Sequence, residues 1–514
     1  MANISDHNLV KVMWILLLAF LSWYLYFYFH IAFSADLSIL TSFAERMLVG
    51  KHYSESYYDP NPPLNMIIYT PPVWIANTTG YPIYHVHFFY SLALVALSFL
   101  LTASLLRTLE IFDSITYNFS LMIFLVTVIL GANNGIGERE HIIVLYLIPF
   151  TLLQICITKK KTIPLWIKYP TLLFGTMGIL IKPHYGIFPA LILINRAWTR
   201  KKIFSVLKDP DFWALAIGIL SYGLLVFFLF YDYLTIVLPD VFKLYLSQKN
   251  PAVWSASLFY SVIAAAILCI SYIFKISNKQ LRIVLFLGTM TCMAFIPFIV
   301  QAKALNYHRI PYFIFLYSTG SYALYYILLL RLKSAYSMAL TLLAISGLLF
   351  WHRGVPQSYI THEKFKTLPL SRALDQYCDN PCSFLMWYDY SDLVHQLAIY
   401  HDAFHASRFT SNWFNVRVFQ EDERRKNNEK TYLSNESLAS TKKKYAAMII
   451  EDLKKLKPDT LIIMRTDRID DIEYFLDYPE FRDEFSIYKK VDDIKFYRKI
   501  YYTGYRSLAD HEAP

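Results

Sequence analysis

Charge is scarce in this chain. Only 17% of its 514 residues are Asp, Glu, Lys or Arg, against about a quarter in ordinary soluble proteins. That deficit excludes a typical water-soluble globule. Cysteine is scarce as well, and five residues exclude a disulfide scaffold. Cys156, Cys269 and Cys292 lie in apolar runs and read as packing residues. Cys378 and Cys382, in "CDNPC", either close a small loop in an oxidising compartment or remain two thiols. No internal repeat or low-complexity tract is present.

What the chain has in abundance is apolar sequence. It is 56% hydrophobic and 17% aromatic, with a mean hydropathy of +0.34. Its apolar runs approach the roughly 20 residues that span a bilayer. The composition describes a polytopic α-helical membrane protein. The net charge of +10 calls for no nucleic acid, because cytoplasmic loops of such proteins are rich in Lys and Arg. No small-residue cleavage site follows the first apolar run, Val12–Ile31, so it is expected to stay as the first span.

Apolar runs fall near 12–31, 83–106, 117–135, 141–157, 169–182, 185–195, 211–234, 255–274, 283–302, 312–330 and 337–351, about 11 spans. Lys11, Arg107, "TKKKTIPLWIK", "NRAWTRKK", "KISNKQLR" and "LRLKSAY" then share one side, which the positive-inside rule makes cytoplasmic. The amino terminus is expected inside and the carboxyl terminus outside. Residues 1–351 form the membrane domain, with a first outer loop at 32–82 whose Leu37–Leu48 stretch has helical spacing suited to the membrane surface. Residues 352–514 are polar and read as a soluble α/β domain on the outer face, with strands at "SFLMWY" and "DTLIIMR" and a helix at "KKYAAMIIEDLKKL". Within it, 420–445 reads as a solvated or mobile excursion. His401 and His405 flank Asp402 but lack further ligands at zinc spacing, so no metal site is assigned.

This threading places four chemically loaded segments on one surface: the loop 32–82, "GEREH" (Gly137–His141), "IKPHYG" (Ile181–Gly186) and "KALNYHRIP" (Lys303–Pro311). In the first, Asp36 stands at the outer end of the first span and Asp59 precedes "PNPPL", whose prolines fix the backbone. A carboxylate at that boundary either accepts a proton from an attacking hydroxyl or caps the helix that follows. The other segments supply Arg139, His141, Lys182, His184, Lys303, His308 and Arg309, with Glu138 beside them. Arg offers a planar fork to phosphate oxygens and Lys a point charge, so the set suits a lipid-linked phosphate. Read singly, Lys303 and Arg309 are snorkelling side chains and Glu138 with Arg139 an ion pair.

An early Asp in the first outer loop, the stretch "AERMLVGKHYSESYYDPNPPL", a tight charged turn and a soluble outer domain together resemble the GT-C glycosyltransferases. The likeness covers roughly residues 10–330 and is nearest to the bacterial group of protein mannosyltransferases, the aminoarabinose transferase of lipid A and rhizobial lipopolysaccharide galacturonosyltransferases. The resemblance implies transfer of a sugar from a polyprenyl-phosphate donor on the outer side of a bacterial inner membrane, to a cell-envelope glycolipid or polysaccharide. It assigns Asp36 the role of catalytic base in an inverting displacement. The leaving phosphate then falls to Arg139 and His141, with Lys182, His184 or His308 in support, and Asp59 and Glu138 become sugar contacts. Many members carry an acidic pair where this chain has "ADLS", so a divalent cation is permitted but not required. A flippase for lipid-linked saccharide is the alternative, although it should show polar residues on both membrane faces. A non-catalytic assembly subunit would leave the charged turns without a purpose.

Overall fold

A backbone in hydrocarbon must satisfy its own hydrogen bonds, so long apolar runs fold as helices. The computed structural model describes residues 6–201, 203–245, 252–273, 277–303, 305, 307–353, 360–377, 382–387, 393–409, 413–466, 476, 478–497 and 500–507. Each apolar run of the sequence lies on a helix: Asp6–Phe29, Ile83–Leu109, Ser114–Leu130, Arg139–Thr158, Leu165–Ile181, Ile187–Thr199, Pro210–Leu229, Ala252–Ile273, Asn278–Gln301, Ile310–Leu328 and Ser334–Arg353. Among the described residues, six of these are long and apolar enough to cross a membrane, starting at Asp6, Ile83, Arg139, Pro210, Lys279 and Ser334.

The chain forms two compact units. The first comprises Met1–Ile31, His85–Leu225 and Lys249–Tyr359. The Arg139–Thr158 helix is its most enclosed, packed against Leu165–Ile181 and Ile310–Leu328. Its opposite is the part of Pro210–Leu229 that lies in this unit, where Ile217, Leu220 and Leu224 are all exposed. Large apolar side chains left bare along a helix mark a face made for lipid. The basic stretch "NRAWTRKK" holds a surprise. Arg196 is buried and donates from Nη1 to Asp209 Oδ2 and Asp211 Oδ2, both at 2.8 Å, and from Nη2 to Gln154 Oε1 at 2.6 Å. Arg200 joins at 2.9 Å from Asp209. Part of the positive charge counted there is thus neutralised within the fold.

The second unit comprises Ala32–Tyr84, Val226–Gln248 and Ile360–Pro514. Its core is a five-stranded sheet of β1 (Cys382–Trp387), β2 (Ala403–His405), β3 (Thr460–Thr466), β4 (Tyr488–Tyr497) and β5 (Ile500–Ser507), in the order β2-β1-β3-β5-β4. β1 runs parallel to β2 and β3, while β5 pairs antiparallel with β3 and β4. Parallel neighbours need crossovers, which the helices Val394–Tyr400, Trp413–Lys426 and Asn435–Leu456 supply. Gly504 on β5 lets the Tyr377 ring lie on the sheet, since a Cβ there would come within 2.6 Å of Tyr377 Cε2. Cys382, at the start of β1, is disulfide-bonded; Cys378 lies outside the described residues.

Two expectations change here. The 420–445 segment is not an excursion: it is mostly the ends of two helices, and buried Glu421 accepts from Tyr432 N at 2.7 Å and Leu433 N at 3.1 Å. One internal carboxylate satisfies the turn, which the run of charges concealed. The helix expected at the membrane surface, Ala35–Leu48, is enclosed by protein. Every residue from Leu37 to Ala44 is buried, and the helix packs on Val394–Tyr400 and Thr70–Thr79.

Candidate functional site

The charged turns are built by helix ends. The Ser114–Leu130 helix stops before Gly131, and a tight turn carries the chain to Glu138, the N-cap residue of Arg139–Thr158. Gly137 makes that turn feasible. Its φ of +87° suits glycine, and a Cβ would meet Ser91 Oγ at 2.2 Å and His87 Cε1 at 3.2 Å. Gly137→Ala is expected to destabilise the membrane helices by about 1–3 kcal/mol, read as a lower thermal midpoint in detergent. An unchanged midpoint would refute the tight packing. His141 closes the same turn. Gly137 N–H donates to its Nδ1 at 3.0 Å, and its Nε2 donates to Val128 O at 3.0 Å. Both ring nitrogens are therefore engaged by backbone, and His141 acts as a staple.

The Leu165–Ile181 helix ends at Lys182, in extended backbone ahead of Pro183. Asn278–Gln301 ends at Ala302 in the left-handed region, and Tyr307–Arg309 starts the next helix. These three ends converge. Lys182 Nζ donates to Glu140 Oε1 and, at 3.2 Å, to Gln301 Oε1. His308 Nε2 stands 3.6 Å from Glu140 Oε1. Arg139 and Lys182 lie over the Tyr307 ring, at 5.7 and 5.6 Å from its centroid. Arg309 sits over Phe298 instead, 5.7 Å from that centroid.

The electrostatics are lopsided. His308 is held well below its usual pKa, first by burial and then by Lys182, Arg139, His184 and Lys303. Lys182, Arg139 and Lys303 thus bring positive charge to it, and the Glu140 carboxylate stands 3.6 Å away. Burial, with Lys182 beside it, lowers His184 to about 4. Among the described residues, Glu140 Oε2, His184 Nε2, Tyr185 OH and His308 Nδ1 are buried here with no hydrogen-bond partner. Such orphans are uncommon in native proteins and need an explanation.

The structure therefore brings Arg139, Lys182, His184, Lys303 and His308 to one place in the first unit. Asp36 and Asp59 belong to the second unit. Asp36 lies in the first turn of Ala35–Leu48, but the cap is Ser34, whose side chain accepts from Leu37 N at 3.4 Å. Asp59 is buried and its Oδ1 accepts from Asn61 N at 2.9 Å and Asn61 Nδ2 at 2.6 Å, which shapes the "DPNPP" turn. Among the described residues, no three His, Cys, Asp or Glu side chains converge as metal ligands. Sequence reasoning passed over Glu140, the centre of the cluster, and Tyr185, Gln301 and Tyr307 around it. The signal for Glu140 was present: it is the second acid of "GEREH", in the first turn of a helix that is otherwise almost wholly apolar.

No protein-family model and no curated protein matches the chain. Solved structures do. ArnT from Cupriavidus metallidurans, bound to undecaprenyl phosphate, aligns over 98% of this chain and 99% of its own, at TM-score 0.52 and 11% identity. The apo state of ArnT from that organism aligns over the same shares at TM-score 0.41 and 11% identity. Archaeal oligosaccharyltransferase AglB from Archaeoglobus fulgidus, in complex with an inhibitory peptide and a dolichol-phosphate, aligns over 98% of this chain and 75% of its own, at TM-score 0.41 and 11% identity. The likeness to undecaprenyl-phosphate-bound ArnT is one of fold, and it runs the length of both chains: this protein is an integral membrane protein with the fold of the GT-C glycosyltransferases.

Proposed function

We propose that the protein is a glycosyltransferase that moves a sugar from a polyprenyl-phosphate donor to a cell-envelope glycolipid or polysaccharide. It works on the outer side of a bacterial inner membrane, with about 11 spans, a cytoplasmic amino terminus and residues 352–514 in the periplasm. The observation that carries this reading is the gathering of Arg139 and Lys303 around buried His308, beside a Lys182 already paired with Glu140. Clustered positive charge attracts an anion. A lipid-linked phosphate matches it in sign and in depth, and ArnT, which shares the fold, was solved with undecaprenyl phosphate bound.

In the reaction, Asp36 takes the proton of the acceptor hydroxyl or amine as its oxygen or nitrogen attacks the anomeric carbon. The bond from that carbon to the phosphate oxygen breaks, and the electron pair leaves with the polyprenyl phosphate. Arg139 and Lys303 face the negative charge that develops there, while His184 and Arg309 line the approach. Preorganised charge aimed at a leaving group is usually a large catalytic contribution. His141 keeps the turn beneath Arg139 in place. One base and no nucleophile at hand predict inversion at the anomeric carbon.

Arg139→Ala tests the phosphate site. Losing one charged contact should weaken binding of undecaprenyl phosphate by about 10- to 100-fold. The measurement is the thermal shift of the purified protein titrated with that lipid. Equal shifts for variant and wild type would remove Arg139 from the site.

A further inference from the structure

Resting on that donor reading, we infer that Glu140 and His308 read the sugar, while the phosphate falls to the cations around them. The argument starts from Lys182. Its ammonium donates to Glu140 and to Gln301, so it is committed as a counter-ion within the fold. Held in this way, Glu140 presents a second oxygen, Oε2, that no donor reaches. A carboxylate oxygen can only accept a hydrogen bond. His308 faces Glu140 Oε1 with Nε2, which favours the tautomer that carries its proton on that nitrogen. Nδ1 is then a bare acceptor, and it too lacks a partner.

Two buried acceptors, on side chains whose Oε1 and Nε2 stand 3.6 Å apart, do not suit phosphate, which offers only acceptors of its own. They suit a group that donates twice. The ring of a sugar does so through neighbouring hydroxyls, or through one hydroxyl and an ammonium. Tyr185 OH and His184 Nε2, also unpartnered, extend the same polar surface from the turn after Lys182. A donor whose sugar lacks a hydrogen-bond donor at the matching position would leave Glu140 Oε2 unsatisfied, and a site built in this way rejects such analogues strongly. Glu140 and His308 would thus set which sugar is transferred.

The test compares the wild type with the double variant E140Q/K182M. That pair removes both buried charges together, so that neither is stranded. H308Q serves as the independent second variant. The probes are bare undecaprenyl phosphate and its glucosyl, mannosyl, N-acetylglucosaminyl and aminoarabinosyl derivatives, with binding read by thermal shift of purified protein. The expected result has three parts: the wild type prefers one sugar-linked lipid over the bare carrier, E140Q/K182M and H308Q lose that preference by about 10- to 100-fold, and both still bind the bare carrier. If the variants lose the bare carrier to the same degree as the sugar-linked lipid, the pair serves the phosphate or the fold. The sugar-reading role is then overturned and the donor reading stands. If the wild type binds bare carrier but prefers none of the sugars, the inference falls in the same way. If the wild type binds neither carrier nor derivative, the donor reading itself fails and takes this inference with it.

Discussion

Asp36→Asn is expected to lower sugar transfer by about 100- to 10,000-fold while leaving the protein folded, the range for loss of a positioned general base. The fold makes this variant unusually informative. Ser34, not Asp36, caps the Ala35–Leu48 helix, so the substitution spares the cap. What Asp36 gives the helix is the favourable placement of a negative charge in its first turn, worth about 0.3–1 kcal/mol. A structural role predicts a fall in thermal stability with normal transfer per folded molecule. A catalytic role predicts the reverse. Mass spectrometry of envelope glycolipids and polysaccharides, from cells carrying equal membrane levels of wild type or Asp36→Asn, separates the two. Full modification by the variant would end the assignment of Asp36 as base. Undecaprenyl phosphate binding should persist in Asp36→Asn, because the substitution removes none of the cations assigned to the phosphate.

The helices were legible because apolar runs in a membrane protein leave the backbone little choice, and every run lies on a helix. The convergence of "GEREH", "IKPHYG" and "NYHR" was legible too, since helix ends on one side of a bundle gather the turns between them. Individual roles were much less so. Arg139–Thr158 is buried on nearly all sides, so its sequence shows no polar face to say which of Glu138, Arg139, Glu140 and His141 points to the neighbouring helices. Glu140 reaches Lys182, and His141 turns to the backbone of Gly137 and of Val128 in the preceding helix. The prolines after Asp59 predict a carboxylate held at a fixed height; the contacts that hold its Oδ1 come from Asn61 N and Nδ2. The enclosure of Ala35–Leu48 could not be read locally either. It depends on the Val394–Tyr400 helix, more than 300 positions away along the chain.

Arg46 shows how much that enclosure matters, and Arg46→Met should be the most disruptive single change in the second unit. Its guanidinium donates to Ser56 O, to His405 O at 2.6 Å and to Ser407 O at 2.8 Å, and it lies over the Phe404 ring, 5.1 Å from the centroid. One side chain thus ties the helix to its own loop, to the end of β2 and to the residues beyond it. Methionine keeps the stem but leaves Ser56 O and Ser407 O short of a donor, each at a cost of about 1–3 kcal/mol if it stays buried, while His405 O keeps only Ser407 N at 2.9 Å. Removing a charge whose burial has pulled its pKa down to about 10 offsets part of that loss. A net loss of about 3–5 kcal/mol is expected, as earlier proteolysis and a lower unfolding midpoint for residues 360–507; an unchanged midpoint would contradict it. The same change should also reach the chemistry. Arg46 lies ten positions after Asp36 on one helix, about 15 Å along its axis, and anchors the far end of the element that carries the proposed base. Transfer lost through Arg46→Met should therefore recover at low temperature, where the unit refolds, whereas transfer lost through Asp36→Asn should not.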